Sequence, residues 1–166
     1  MYEHIWRGHE LVQRFYEKTS MEEVRQAVIE LQSDPRFDEL TDVISDFLGC
    51  EIAPVHIEVM EEIAALDGAA SLSNIRIRDA VVTDSPQIMR AVEAYIASGL
   101  SPYPMQIFSS TELARKWLVS KPTRSDFGRR IYKVVTQKFG AFSREFAALF
   151  LRRYGWKHSS GTAHCE

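Results

Sequence analysis

Leu40-Thr41-Asp42-Val43-Ile44-Ser45-Asp46-Phe47-Leu48, closed by Gly49, is the stretch whose reading decides the fold. Its β-branched and aromatic residues in a short run ended by glycine predict a β-strand. Pro54 then stands where a first helical position belongs, and Val55, Val59, Ile63 and Leu66 form a stripe at helical spacing. Glu58, Glu61 and Glu62 fall on or beside the solvent face of that helix, and Ala64, Ala65, Ala69 and Ala70 thin its end for close packing on a sheet. A strand followed at once by an amphipathic helix is half of a parallel crossover unit.

The same alternation continues outward on both sides. Toward the N-terminus, Tyr2-Glu3-His4-Ile5-Trp6 alternates apolar with polar residues, Gly8-His9 is a turn, and Leu11 to Tyr16 forms an antiparallel partner strand. Ser20 with Glu23 three residues on completes a capping box for a helix carrying Val24, Ala27, Val28 and Leu31, which Asp34-Pro35 stops. Toward the C-terminus, residues 75–82 read as a strand and Asp84 or Ser85 caps a helix with Pro86 in its first turn. That helix buries Ile88, Val92, Tyr95 and Ile96 and ends at Gly99. Met105-Gln106-Ile107-Phe108 is a short strand, and Ser110 caps a last body helix with Leu113, Trp117 and Leu118 inward. The order β-β-α-β-α-β-α-β-α predicts an α/β domain over residues 1–121: a mostly parallel sheet covered by helices, opened by a hairpin.

Charge divides the chain again. The 166 residues carry a net of -3, but residues 1–114 hold 8 basic and 20 acidic residues, whereas 115–157 hold 12 basic and 2 acidic. Beyond Pro122, two amphipathic helices are predicted within 122–157, followed by a disordered tail over 158–166. Their polar faces carry Arg129, Arg130, Lys133, Lys138, Arg144, Arg152 and Arg153, and their apolar faces carry Phe127, Ile131, Phe139, Phe146 and Phe150. Aromatic faces flanked by basic residues suit an anionic membrane surface, an acidic protein or the body itself. A nucleic-acid partner has basic charge but no recognition motif behind it. Cys50 and Cys165 do not suggest a disulfide framework, and neither a leader peptide nor a membrane span is read, so a cytoplasmic protein, peripheral at the membrane through its extension, is expected.

One run carries a family resemblance. Ala64 to Ala70, Leu72-Ser73-Asn74-Ile75-Arg76-Ile77, Tyr95 to Pro104 and Ala114-Arg115-Lys116-Trp117-Leu118, with the Asp46-Phe47 pair, resemble the bacterial SpoIIAA-like family. That family belongs with the STAS domains and is distantly similar to the CRAL-TRIO lipid-binding fold; the resemblance covers about residues 1–120. It implies a non-enzymatic regulatory module that binds a protein partner. In antagonists of anti-sigma factors, the resemblance implies a phosphorylatable Ser or Thr at the start of the helix after the third strand. The matching loop here, Gly49-Cys50-Glu51-Ile52-Ala53-Pro54, has no hydroxyl, so that switch has no acceptor. Where members commonly read Ser-Asn-Pro, this chain has Ser73-Asn74-Ile75.

Candidate chemistry is sparse. Asp46 at a strand end lacks a titratable partner near in sequence, and Cys50 lacks a local base. The five histidines show no metal-ligand spacing, no Gly-rich phosphate loop or nucleophile elbow occurs, and no catalytic residue, metal or cofactor is assigned. Asp46, Cys50, Glu51 and Pro54 are therefore read as lying near a partner-contact surface, and Arg129, Arg130, Lys133, Lys138, Arg152 and Arg153 as membrane or polyanion contacts. The preferred function is protein binding without the phospho-switch; a homodimer is a further expected assembly. The alternative is binding or sensing of an apolar, lipid-like molecule. An enclosed apolar pocket between helix and sheet favours that alternative; a packed interior with an exposed apolar patch favours the partner.

Overall fold

The computed structural model describes residues 1–54 and 57–120, which form a compact unit. The expected hairpin is present: β1 (Tyr2–Arg7) and β2 (Glu10–Phe15) pair antiparallel across a turn in which Gly8 takes φ +60°, the left-handed region a glycine enters freely. A two-residue strand, β3 (Lys18–Thr19), leads into α1 (Met21–Ser33). Ser20 and Glu23 cap this helix reciprocally, the Glu23 amide donating to the Ser20 hydroxyl at 3.2 Å and the Ser20 amide to the Glu23 carboxylate at 2.8 Å. A single 3-10 turn, Phe37–Glu39, precedes β4 (Asp42–Asp46).

There follow β5 (Glu51–Ile52), α2 (Ile57–Ala70), β6 (Arg78–Val82), α3 (Pro86–Ser98), β7 (Met105–Phe108) and α4 (Thr111–Val119). The main sheet has five strands in the order β1-β2-β4-β6-β7, all neighbours parallel except the opening hairpin. This is the expected mostly parallel α/β sheet.

Period-two alternation assigns each strand residue to one of two layers. On one face, Phe15, Phe47 and Val81 pack with Ala27 of α1 and Ile88 and Val92 of α3. On the other, Val12, Ile44, Ala80 and Val82 pack with Ala114 and Leu118 of α4. Arg78 fixes this last helix. Its guanidinium donates to the Leu118 and Ser120 carbonyls at 2.9 and 2.7 Å and to the Trp117 carbonyl, and lies 4.3 Å over the Trp117 ring. A cation thus meets carbonyls at a helix C-terminus, where the Trp117 carbonyl also accepts the Ser120 amide at 3.1 Å.

Several boundaries differ from the sequence reading. The strand read over 40–48 is limited to Asp42–Asp46, because the Asp46 carboxylate accepts the Leu48 amide at 3.1 Å and turns the chain. The strand read over 75–82 begins at Arg78, because Asn74 holds the approach: its amide donates to the Phe37 and Leu40 carbonyls and its oxygen accepts the Arg76 amide. The described helix after Pro54 begins at Ile57. The unexpected β3–β5 pair ties residues 17–19 to 51–53 through Glu51 N–H to Glu17 C=O and Ala53 N–H to Thr19 C=O. Leu113 is exposed rather than inward, since Ala114 and Leu118, four residues apart, take the buried stripe of α4; Ile96 is likewise exposed beyond Ile88, Val92 and Tyr95. The extension over 122–157, with its six basic contact residues, and the tail over 158–166 lie outside the described residues.

Candidate functional site

Three neighbouring strands share an inward pattern of apolar, polar, apolar: Leu11-Gln13-Phe15, Val43-Ser45-Phe47 and Ile77-Asp79-Val81. Leu11, Val43 and Ile77 anchor one apolar cluster and Phe15, Phe47 and Val81 another, with the Phe15 and Phe47 rings stacked at 4.3 Å. Between the two clusters the middle residues make a polar row on the sheet. Gln13 is opposite Ser45 in register, and the Ser45 hydroxyl donates diagonally to Asp79 Oδ1 at 3.0 Å.

Over this row lies a cavity of about 120 Å³ roofed by α1, α2 and α3. Its walls are mainly apolar side chains, among them Val28, Leu31, Met60, Ile63, Ala91 and Val92. Its polar groups are few and convergent. Asp67 of α2 accepts from the Gln32 amide and the Tyr95 hydroxyl, each at 3.0 Å. Asp67 and Asp79 are half-buried, and both line the void. Gln13 spends its amide on the Ala27 carbonyl and on His4 Nε2, both at 3.2 Å. Tyr103 lines the same void, and among the described residues its buried hydroxyl has no hydrogen-bond partner.

Burial sets the electrostatics. Burial pushes the Asp67 carboxyl up to about 6, against the opposing effect of its Tyr95 and Gln32 donors. Asp79 is pushed up to about 7, by burial first and by the charge of Asp67 as well, with Ser45 opposing. Burial and the neighbouring Asp67 raise both Tyr95 and Tyr103, which stay neutral hydroxyls. The cavity lining includes no Lys, Arg or His. Two acidic groups thus share a mainly apolar cavity, and among the described residues no cation lines it.

The residues expected at a partner surface do not converge. Asp46 is buried at the end of β4, where it accepts the Leu48 amide and lies 3.8 Å from Arg14 Nε. Cys50 is buried with Phe15 and Phe47. Glu51 and Pro54 are exposed. Glu58, Glu61 and Glu62 are exposed, as a solvated acidic face requires, with Glu62 3.7 Å from Arg25. Among the described residues no group of three His, Cys, Asp or Glu could hold a metal, and no helix is long and apolar enough to cross a membrane.

Sequence reasoning assigned no role to Gln13, Ser45, Asp67, Asp79 or Tyr103. The signal available was the phase of three of them, since each sits in step with the inward apolar residues of its own strand.

No family model matches the chain, and no curated protein matches it. Among solved structures it is similar to the anti-sigma factor antagonist SpoIIAA in its unphosphorylated form, with 14% identity and a TM-score of 0.45 over 73% of this chain and 100% of that one. It is also similar to SpoIIAA, the Bacillus cell fate determinant, in its phosphorylated form, with 16% identity and a TM-score of 0.44 over 70% of this chain and 99% of that one. The architecture of the present chain rests on its own strand order and register.

Proposed function

We propose that this domain is a non-enzymatic binding module that holds an apolar small molecule between its sheet and helices α1 to α3. The observation that carries this reading is the apolar cavity of about 120 Å³ built over a convergent polar row. Its size approaches the roughly 150 Å³ of an apolar cavity that takes up benzene. Apolar walls with a few placed polar groups are the general build of a ligand pocket. Benzene added to the isotope-labelled full chain should shift the amide resonances of Ser45, Val81 and Val92. Absence of any shift at those positions, with no small-molecule adduct in native mass spectrometry, overturns the reading.

A second reading keeps the protein partner. Leu48, 38% exposed, and the exposed Glu51 and Pro54 all lie on the connection between β4 and α2. The basic extension supports association with an anionic surface, through Arg129, Arg130, Lys133, Lys138, Arg152 and Arg153. Co-sedimentation with anionic vesicles should retain the intact chain above one lacking residues 122–166; equal retention removes the membrane role.

A further inference from the structure

The polar row gives the cavity a chemical preference as well as a volume. Asp79 uses Oδ1 to accept from Ser45, and no described side chain donates to its Oδ2. Asp67 faces the same void with one donor on each oxygen, leaving each a further lone pair. The Tyr103 hydroxyl, on a side chain more than nine-tenths buried, has no partner among the described residues. It lies two residues before Met105, the register partner of Asp79, and it feels the charge of Asp67. Acceptors therefore outnumber donors at the polar end of an apolar space.

Such an end repels a carboxylate or phosphate head, because a third acidic group would share a low-dielectric site that already holds two. A neutral alcohol can donate one hydrogen bond there. An alkylammonium donates three and supplies the missing positive charge. Resting on the reading that the cavity binds a ligand, we propose that it selects apolar molecules ending in a protonated amine, with Asp79 and Asp67 accepting from the ammonium and the Tyr103 hydroxyl as a third polar contact.

The groups facing this head are Asp67 from α2, Asp79 from β6, Tyr95 from α3 and Tyr103, with neutral Gln13 from β2, Ser45 from β4 and Gln32 from α1. Of these, only the two carboxyls titrate between pH 5 and 8. A bound cation favours their ionised forms, so binding releases protons and strengthens as pH rises through that window. An alkylammonium itself stays charged there, as a lysine side chain does.

The void suits short chains, so the probes are n-hexylamine, n-hexanol and hexanoate, titrated calorimetrically into the full chain at pH 5 and pH 8. At pH 8 the amine is expected to bind at least tenfold more tightly than the alcohol, with hexanoate weakest. The amine's affinity should drop at least tenfold at pH 5 while the alcohol's changes less than twofold. Asp79→Asn should erase most of the amine's advantage over hexanol. Tyr103→Phe should weaken the amine severalfold without altering its pH profile. Hexanoate binding as tightly as hexylamine overturns the proposal, as does an amine preference that survives Asp67→Asn combined with Asp79→Asn. Binding of hexanol with no amine advantage overturns the head-group preference alone. Failure of all three probes overturns the ligand reading with it.

Discussion

Replacing Asp79 with asparagine should make the protein more stable, and only at neutral to alkaline pH. Asp79 has an ordinary carboxyl value of 3.8 when unfolded and about 7 in the fold. The fold therefore binds the Asp79 proton more tightly than the unfolded chain does. Its contribution is fully present below about pH 4 and is lost as pH rises through 7. At about 1.4 kcal/mol for each tenfold difference in proton affinity, that gap amounts to roughly 4 kcal/mol at pH 8. Asparagine is neutral throughout and keeps an oxygen for the Ser45 hydroxyl, so Asp79→Asn should recover a large part of that loss. Relaxation around the void reduces the gain, and about 1 to 4 kcal/mol is expected at pH 8, against almost none near pH 4.

His4 acts with the opposite sign. Burial lowers its value, so its contribution grows as pH rises through the histidine range. It is common to both proteins and cancels in their difference, whereas the raw pH dependence of either one mixes the two effects. Urea unfolding followed by tryptophan fluorescence at pH 4.5 and pH 8 measures the difference directly. A gain below about 0.5 kcal/mol at pH 8, or an equal gain at both pH values, refutes the claim that the fold raises the Asp79 carboxyl.

Two further substitutions test the frame around the site. Ala91→Leu adds three carbons to the cavity wall and, at about 0.8 kcal/mol per buried methylene, should raise stability by about 2 kcal/mol while abolishing the benzene-induced shifts; retained binding with lowered stability means that the side chain does not enter the void. Arg78→Ala removes one donor from each of three carbonyls at the C-terminal end of α4 and the cation over Trp117, and should cost about 2–4 kcal/mol. Hydrogen exchange should then show α4 losing protection ahead of β4 and β6; unchanged protection in α4 assigns its anchoring to Ala114 and Leu118 alone.

The element order was readable because its signals are local. Ser20 with Glu23, Pro86 after Ser85, Gly99 and Ser110 mark helix ends through hydrogen bonds and backbone angles within a few residues of themselves. What escaped were features set across the chain. The β3–β5 pair joins residues more than thirty apart, and the start of β6 is delayed by Asn74 reaching back to Phe37 and Leu40. Leu113 and Ile96 satisfied a helical period yet remained exposed, because the sheet presents a stripe only as wide as Ala114 and Leu118, or Ile88, Val92 and Tyr95, can cover.

The site was hidden for a different reason. Gln13, Ser45 and Asp79 each look like the solvent half of an alternating strand when read alone. In a parallel sheet covered on both faces neither half meets solvent, so a polar residue in a central strand needs a partner or a void. Counting phase from Phe15, Phe47 and Val81 puts all three on the face covered by α1 and α3. Register alone then brings Gln13 opposite Ser45 and lets Ser45 reach Asp79. Asp67 and Tyr103 add what phase cannot give, since they come from a helix and a loop that meet the row only after folding. Three in-phase polar residues in three adjacent covered strands are thus a sequence-level sign of a polar floor, and the apolar helices above it make that floor the end of a binding cavity.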